Sequence, residues 1–332
     1  MKYSGIGGEA VLEGIMMRNK TDYAVACRKE DGEIAVTKES YVGLTTKLKV
    51  GKVPFIRGIF AFIDSLVLGL TALNISASYD TGSGEKGDSE NGAENSGQNG
   101  SKDSGKGGSK NGGALTKGET VLTMVIAVIL AIGIFVVLPA LLSSFLKRWI
   151  ESNALRALFE GLFRLALFIG YILLITLMPD IRRTFMYHGS EHKCINCIEH
   201  GLPLTVDNVM QSSKEHKRCG TSFILIVFLI SIILFMFIQV DHIGLKILTR
   251  ILLIPVIAGI SFEILQFTGR HDGTFVRIIS RPGMWMQALT TKEPTPDMAE
   301  VAIQAVEAVF DWKAFLKENF GWEEPEDVHD EA

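Results

Sequence analysis

The stretch SFILIVFLISIILFMFIQV, Ser222–Val240, decides the fold class of this chain. It is an uninterrupted apolar run without a charged side chain. A helix needs about 20 apolar residues to cross the hydrocarbon of a bilayer. The run is long enough for that and longer than an ordinary buried helix requires, so it predicts a membrane-spanning helix.

Three further apolar runs surround it along the chain. One carries Arg164 near its start, where a long side chain can reach back toward the interface. Another is interrupted by Arg250, Pro255 and Glu263, so it either spans or dips into the bundle as a broken helix packed against protein. These runs are Thr120–Leu146, Leu162–Met178 and Ile247–Phe267.

A weaker candidate is VPFIRGIFAFIDSLVLGLTAL, Val53–Leu73. Arg57 and Asp64 lie seven residues apart within it, roughly on one helical face. Charge in hydrocarbon is unfavourable and normally faces protein or water. We therefore expect this segment to be an interfacial or bundle-embedded helix.

Composition supports a membrane protein and excludes some other classes. Hydrophobic residues make up 47% of the 332 residues, and the mean hydropathy is +0.26. A net charge of only −4 does not indicate nucleic-acid binding. The N-terminal residues lack a basic segment followed by an apolar run, so no cleavable signal peptide is expected.

The regions outside the spans have distinct patterns. YAVACRK and EIAVTKE alternate apolar and polar residues around Glu30-Asp31-Gly32, which predicts a β-hairpin. Thr295-Pro296-Asp297 begins a predicted amphipathic helix near the C-terminus. Its predicted apolar face comprises Met298, Val301, Ala302, Ala305 and Val309.

These patterns predict a mainly α integral membrane protein: a bundle of about four transmembrane helices, a membrane-associated helix and a small N-terminal β-rich module. The Gly- and Ser-rich stretch has too few apolar residues to fold and is expected to be a disordered linker. The predicted divisions are a β-rich module (1–52), a membrane-associated or embedded helix (53–79), the linker (80–118), transmembrane helices 1–2 (119–178), a His/Cys/Glu-rich metal loop (179–221), transmembrane helices 3–4 (222–268), and a C-terminal segment with an amphipathic helix and an acidic tail (269–332).

Basic residues near the spans predict the orientation, because cytoplasmic loops carry an excess of Lys and Arg. The segment Pro179–Thr221 is rich in them, which places it and the N-terminal module on the cytoplasmic side. Lys147–Arg164 is also basic and would lie outside, against that rule. The expected location is the bacterial cytoplasmic (inner) membrane, as a multi-pass protein in the lipid bilayer.

The stretch YHGSEHKCINCIEHG, Tyr187–Gly201, carries the strongest chemical signal. His188, Glu191 and His192 form an HxxEH pattern, which on a helix places both imidazoles on one face beside a carboxylate. This is the inverted spacing of the zinc-peptidase motif, in which the histidines bind zinc and the glutamate activates water. A third protein ligand is needed, and the candidates are Glu199, His216, Cys219 and Glu263.

A competing interpretation uses the cysteines of the same segment. Four cysteines without a regular spacing do not predict a disulfide framework. Cys194 and Cys197, followed by His216 and Cys219, form a CxxC…HxxC set whose spacing suits a closed structural zinc site. A thiol pair of this kind can also be unligated or redox-active. Both interpretations involve zinc or another divalent transition metal and remain open at this stage.

Glu263 is a carboxylate deep in an apolar run, which requires a proton, a cation or a metal as its partner. Arg250 or Arg270 could neutralise it within the bundle. The alternative is a proton relay, which would imply transport.

Five separated blocks of sequence resemble one known family. They are GGEAVLEGIMMR (Gly7–Arg18), PFIRGIFAFIDSLVLGLTAL (Pro54–Leu73), YHGSEHK (Tyr187–Lys193), HKRCGTSF (His216–Phe223) and RPGMWMQALTTKEP (Arg281–Pro294). The family is the YqhQ-like family of bacterial membrane proteins, described as predicted metal-dependent enzymes. The resemblance implies a membrane protein with a metal centre and gives no substrate. The polar residues it implies are Glu13, Arg18, His188, Glu191, His192, Glu199, His216 and Cys219.

Three functional hypotheses follow. The first is a membrane metal-dependent hydrolase of peptidase type, with Glu191 as the catalytic base and Glu13 and Arg18 facing the site. The second is a non-enzymatic scaffold or regulator whose zinc-ordered platform binds a membrane-protein partner. The third is a transporter using Glu263, which with four spans per chain would need a homo-oligomer.

Overall fold

The computed structural model describes residues 1–80 and 117–324, apart from Gln239, Asp241 and Asp272. Most of the predicted linker and the last eight residues of the acidic tail lie outside the described residues. The described part is mainly helical with one small antiparallel sheet, as the sequence predicts.

The N-terminal β-rich module is a four-stranded antiparallel sheet in the order β1-β2-β3-β4. The predicted hairpin is confirmed, because β3 and β4 pair in a register that joins Arg28 to Ile34. Gly32 lies in the connecting turn with a φ of +88°, a conformation that glycine adopts without strain. The strands are β1 (Gly7–Val11), β2 (Gly14–Asn19), β3 (Asp22–Arg28) and β4 (Ile34–Ser40).

Twelve α-helices are assigned among the described residues. Between α3 and α4 the chain forms a π-helical turn at Gly133–Val137 that keeps the two in one rod. The helices are α1 (Leu44–Lys47), α2 (Ile56–Asp80), α3 (Lys117–Ile132), α4 (Leu138–Phe145), α5 (Asn153–Ile175), α6 (Pro179–Glu199), α7 (Val206–Gln211), α8 (Gly220–Phe237), α9 (Ile243–Arg270), α10 (Thr274–Thr290), α11 (Pro296–Val309) and α12 (Trp312–Phe320).

In the part of the chain that the structure describes, 5 helices are long and apolar enough to cross a membrane. Large apolar side chains point outward from them, such as Leu174 at 65% exposure and Phe237 at 81%. An outward apolar surface suits lipid tails rather than water. The five candidates are Ile56–Tyr79, Val125–Arg148, Asn153–Ile175, Gly220–Phe237 and Ile243–Arg270.

Helix α2 joins the bundle to the sheet. In its first half, the Phe62 ring lies 5.7 Å from the ring of Phe223 on α8. In its second half, Leu68 and Ala72 are buried against the sheet. Helix α2 therefore contacts both the apolar bundle and the sheet, and it is also one of the five helices long and apolar enough to span a membrane.

The two charged residues of α2 have separate partners. Arg57 forms a bidentate pair with Glu263 of α9, at 2.7 Å from Nε to Oε1 and 2.5 Å from the terminal nitrogen to Oε2. Asp64 accepts hydrogen bonds at the start of α1, from the backbone N–H of Leu44 at 2.7 Å and that of Thr45 at 3.1 Å. Arg57 and Asp64 therefore do not pair with each other: one binds α9 and the other binds the start of α1. Neither Arg250 nor Arg270 is the direct partner of Glu263.

The segment 179–221, predicted to be a loop, contains α6 and α7. The residues from Gly189 to Glu199 are all buried. They are buried because α6 packs on β1 and β2 beside α11, which lies on the same sheet, and its cysteines and isoleucines belong to the core that these elements share. The predicted apolar face of α11 is confirmed, since its five residues are all buried in this same core.

The sheet is covered on both faces, which follows from the alternation of side chains along its strands. Ile15 and Met17 face the core formed with α6 and α11. Met16 and Val25 face the opposite way, toward α2. The N-terminal module thus forms one body with α2, α6 and α11 rather than a free-standing domain.

Candidate metal centre

His188 and His192 lie one turn apart on α6, as the HxxEH pattern predicts for a helix. Their ring centroids are 4.5 Å apart. Gly189 does not interrupt the helix. It allows close packing instead, because a β-carbon at this position would lie 2.0 Å from the carbonyl oxygen of Lys292. The chain after α10 is thereby held directly against the histidine face.

Cys219 completes a three-residue cluster with these histidines. It is the N-cap residue of α8, and its Sγ lies 3.1 Å from Nε2 of His188. The ligand atoms of His188, His192 and Cys219 all lie within 4.8 Å of one another. Ligands around one tetrahedral zinc are separated by about 3.3–3.8 Å, as its bond lengths require. Small side-chain movements would bring these three atoms to that spacing.

Backbone carbonyls orient both imidazoles. Nδ1 of His188 lies 3.0 Å from the carbonyl oxygen of Thr290, and Nδ1 of His192 lies 2.7 Å from that of Lys214. A carbonyl only accepts hydrogen bonds, so each Nδ1 carries the proton. Each Nε2 then carries the lone pair, and that of His188 faces the Cys219 sulfur. Protein metal sites use the same kind of Nδ1 bond to fix the tautomer of a ligand histidine.

The donor set therefore fits a transition metal. Two imidazoles and one thiolate match the ligand preference of zinc and similar divalent ions. Cys219 also lies where the N-terminus of α8 favours negative charge. Three protein ligands leave a fourth position for another group, which distinguishes a catalytic zinc site from a closed structural one.

Glu191 lies beside this cluster but points toward the sheet. Its Oε1 accepts a hydrogen bond of 3.1 Å from the backbone N–H of Gly8, and the residue is 5% exposed. Burial raises the pKa of Glu191, while His188 and the Gly8 N–H act to lower it. The carboxyl group is therefore placed to hold a proton.

Glu9 is a second carboxylate in this region that the sequence analysis did not single out. Burial, and then the charge of Glu191, raise the pKa of Glu9 to about 7, although Arg18 acts to lower it. Oε2 of Glu9 approaches α2 at Gly69, where a β-carbon would lie only 2.3 Å away. Its place in the middle of a strand was the signal available in the sequence. The charge that acts on it, Glu191, is far away along the chain.

Glu199 and His216 form a separate network next to the cluster. Oε1 of Glu199 accepts from the backbone N–H and the hydroxyl of Ser4, at 2.9 and 2.8 Å, and pairs with Arg218. Nε2 of His216 lies 3.5 Å from the other oxygen. Burial acts to raise the pKa of Glu199, but His216, Arg218 and Ser4 outweigh it and lower it to about 2. Burial also lowers the pKa of His216, with Glu199 opposing.

The structure does not bring the CxxC…HxxC set together. Cys194 and Cys197 are buried in the apolar core with α11, and Sγ of Cys197 donates to the carbonyl of Pro203 at 3.4 Å. Burial raises the pKa of Cys197 to about 11, which disfavours a thiolate. Among the described residues, the two cysteines form no metal-sized group with His216 and Cys219.

The remaining predicted residues lie outside the cluster. Glu13, in the β1–β2 turn, forms a bidentate pair with Arg183 at 2.6 and 2.5 Å. Arg18 donates to the carbonyl of Lys20 at 2.8 Å. Glu263 is occupied by Arg57. Glu13 and Glu263 therefore connect separate secondary-structure elements, whereas Arg18 bonds to a residue close in sequence.

Gln287 is a structural residue of the site that the sequence analysis missed. Its Oε1 accepts from the backbone N–H of His216 at 2.9 Å, and its Nε2 donates to the carbonyl of His216 at 2.7 Å. Nε2 also donates to the hydroxyl of Ser222 at 3.0 Å. Gln287 therefore fixes the loop that carries Cys219 to the end of α10.

Comparison with known proteins gives one family. Residues 53–312 match the family described as "Protein of unknown function (DUF1385)". The chain is 34% identical to "Uncharacterized protein YqhQ" of Bacillus subtilis (strain 168) over 317 residues, which is 94% of both chains. No solved structure matches the chain.

Proposed function

This chain belongs to the DUF1385 family, and we propose that it is an integral-membrane metal-dependent hydrolase of peptidase type. His188, His192 and Cys219 would hold zinc or another divalent transition metal. The observation that carries the proposal is the pair of carbonyl bonds to the two Nδ1 atoms, which turns the Nε2 lone pair of each histidine to metal binding in a cluster with the Cys219 sulfur. A bound divalent metal supplies Lewis acidity, which polarises a carbonyl or phosphoryl oxygen.

Glu191 is the proposed general base. It is buried on the helix that carries both histidines, and its environment favours the protonated form more than water does. A base whose pKa is raised toward neutrality accepts and returns a proton efficiently. The Gly8 N–H holds the carboxyl group on the sheet side of α6, so the proposed role requires the side chain to turn toward the histidines.

The proposed setting is the bacterial cytoplasmic membrane, with the site end of the bundle facing the cytoplasm. Support comes from the five candidate spans and from the basic residues of segment 179–221. The sheet contacts of α2 favour four spans, with α2 at the membrane surface of the site end. The sheet, α6 and α11 pack together and must lie on one side of the membrane. Four spans without α2 satisfy this, because an even number of spans then separates these elements along the chain.

A second candidate function is thiol-based catalysis by Cys219. The specific observation is the 3.1 Å contact between its Sγ and Nε2 of His188, whose Nδ1 is held by the carbonyl of Thr290. A thiol nucleophile bonded to a base, which is in turn bonded to an orienting group, is the usual arrangement of a cysteine hydrolase. The scaffold hypothesis based on Cys194 and Cys197, and the transporter based on Glu263, have weaker support because those side chains are otherwise engaged.

Metal analysis of the purified full-length chain tests the proposal. We expect about one divalent ion per chain in the wild type and its loss in the His188→Ala/His192→Ala double variant. The matched control is His200→Ala/His271→Ala, which removes two exposed histidines and should retain the ion. Equal metal content in both double variants would refute the site.

A second measurement separates the two candidates. Glu191→Gln keeps the shape of the side chain but cannot accept a proton. Under the metal-dependent proposal it retains the ion and loses cleavage of fluorogenic peptides. Under the thiol alternative, iodoacetamide modifies Cys219 and abolishes activity, while removal of metal by a chelator leaves activity unchanged.

A further inference from the structure

A basic pocket lies at the end of the bundle opposite the candidate metal centre. It has a volume of about 150 Å³ and is formed where α4 and α8 end and α5 and α9 begin. Cys219 caps the start of α8, and Phe235 of the pocket lies near the end of that helix. At 1.5 Å per residue the two are roughly 24 Å apart, so the pocket is separate from the metal centre.

The pocket has a marked excess of positive charge. Lys147, Arg156, Lys246 and Arg250 line it, and Glu160 is the one carboxylate among its described lining residues. Oxygens of Glu160 lie 3.0 Å from Nε of Arg250 and 3.2 Å from Nζ of Lys246. Lys147 makes a further interaction of its own, but one carboxylate cannot balance the other three cations of the described lining. Unbalanced charge is unfavourable at membrane depth.

Glu160 is further shared with a cation behind the pocket wall. The terminal nitrogen of Arg164 lies 3.2 Å from its Oε1. Arg164 also donates to the carbonyl of Phe135 at 2.6 Å and to the hydroxyl of Ser231 at 3.3 Å. The negative charge of Glu160 is therefore already distributed over three cations, which increases the deficit of anion in the pocket.

Arg156 provides an independent sign of a missing partner. Its Nε is buried and has no hydrogen-bond partner among the described residues. Buried polar nitrogens are nearly always paired in folded proteins, so an anion near this guanidinium would supply a partner that the described residues do not. Ser143, Ser144 and Asn153 add neutral hydrogen-bonding groups to the same lining.

An apolar cleft adjoins the basic pocket. It has a volume of about 250 Å³, lies between α2, α5, α8 and α9, and shares Phe235 and Arg250 with the basic pocket. The guanidinium carbon of Arg250 lies 3.6 Å from the centroid of the Phe235 ring. A basic chamber that shares a wall with an apolar one inside a membrane bundle matches the polar and apolar parts of a phospholipid.

We propose that the basic pocket binds a phosphate group, carried by an anionic phospholipid whose acyl chain occupies the adjoining cleft. Arg and Lys side chains bind phosphate through charge-assisted hydrogen bonds. The site also accounts for the basic segment Lys147–Arg164, which conflicts with the rule for outward-facing segments. In this proposal its positive charges bind an anion at that membrane surface and do not determine the orientation of the protein in the bilayer.

Native mass spectrometry of the full-length protein in a phosphate-free detergent tests this site with three probes. Phosphatidylglycerol supplies phosphate with acyl chains, diacylglycerol supplies the chains alone, and inorganic phosphate supplies the anion alone. We expect retained phosphatidylglycerol and no comparable retention of diacylglycerol. If inorganic phosphate at equal concentration displaces phosphatidylglycerol, the pocket binds free phosphate rather than a lipid headgroup. That result still supports a phosphate site.

The key variant is Arg156→Gln, which removes the charge without disturbing the Glu160 pairs described above. It should weaken binding of phosphatidylglycerol about tenfold or more, and Arg156→Lys should recover part of it. The matched control is Arg148→Gln, an exposed arginine at the same end that does not line the pocket. Thermal unfolding without lipid verifies that all variants fold.

Two outcomes would overturn the proposal. One is equal affinity for phosphatidylglycerol in the wild type and in folded Arg156→Gln. The other is retention of diacylglycerol as strong as that of phosphatidylglycerol, which would assign the cleft to acyl chains without a role for phosphate.

Discussion

Nε2 of His188 lies 3.1 Å from Sγ of Cys219, although the two residues are 31 positions apart in the chain. The contact joins the middle of α6 to the N-cap residue of α8, and the carbonyl of Thr290 at the end of α10 orients the imidazole from the other side. Three helices therefore define one short distance. Changes in any of them should alter the chemistry of the pair.

Cys219 and Cys197 should behave differently in a metal assay. We expect Cys219→Ser to lower bound metal at least about tenfold, because it replaces a thiolate ligand. Cys197→Ser should retain the metal but destabilise the fold by about 1–3 kcal/mol, since a hydroxyl enters an apolar core. Metal content and thermal unfolding of both variants decide the matter. Loss of metal in Cys197→Ser as well as in Cys219→Ser would favour the structural CxxC…HxxC site.

Gly189→Ala should be strongly destabilising. The added β-carbon would lie 2.0 Å from the backbone carbonyl oxygen of Lys292, which has no flexible side chain to move aside. We expect a loss of about 2–4 kcal/mol, together with loss of metal, because α6 must move away from α10.

Gly170→Ala on α5 is the matched control, since nothing lies within 4 Å of its added β-carbon. In a helix this change should be neutral or stabilising by up to about 1 kcal/mol. Similar unfolding temperatures for the two alanine variants would contradict the close approach at Gly189.

The pair of Arg57 and Glu263 should be structural. Glu263→Gln leaves Arg57 without its charge partner and should lower stability by about 1–3 kcal/mol, a range that allows for the partial exposure of both side chains. The Arg57→Gln/Glu263→Gln double variant should recover part of this loss. A double-mutant cycle of thermal unfolding measures the coupling. Additive losses would show that the two charges act independently.

Glu199 should make the fold sensitive to acid. Its pKa in the folded state is about 2, below the ordinary value of 4.5. The ionised form therefore stabilises the fold above about pH 4.5, and this contribution is lost progressively as the pH falls toward 2. Glu199→Gln should lower the free energy of unfolding at neutral pH by roughly 3 kcal/mol. Between about pH 4.5 and 2 the variant should then lose less stability than the wild type.

Unfolding curves of the wild type and Glu199→Gln at about pH 6 and about pH 3 test this expectation. Glu215→Gln is the control, because Glu215 is exposed in the same loop region. If the difference between the wild type and Glu199→Gln stays constant across this range, the ionised carboxylate is not the source.

Local patterns predicted several elements correctly. Apolar runs longer than a soluble helix requires identified the candidate spans, and alternation around Gly32 identified the β3–β4 hairpin. The 3.6-residue period of α11 identified its buried face. Each of these signals depends on residues close in sequence, which is why periodicity was sufficient.

The same reasoning left the ligand set of α6 open. Its histidines, cysteines and glutamates have the composition of a solvated loop, and their spacing allowed two metal sites. The helix is buried because the sheet and α11, distant parts of the chain, cover it on two sides. Composition reports the average preference of a residue, whereas burial depends on what packs against it.

The sequence by itself determined which segments are apolar enough for a bilayer, which alternate as strands, and which residue types are available for metal chemistry. The tertiary structure decided that Cys219, and neither Cys194 nor Cys197, meets His188 and His192. It also decided that Glu263 is paired with Arg57 and that Glu9 lies near Glu191. These outcomes depend on where helices cross and which carbonyls point inward, and such distances exist only after the chain has folded.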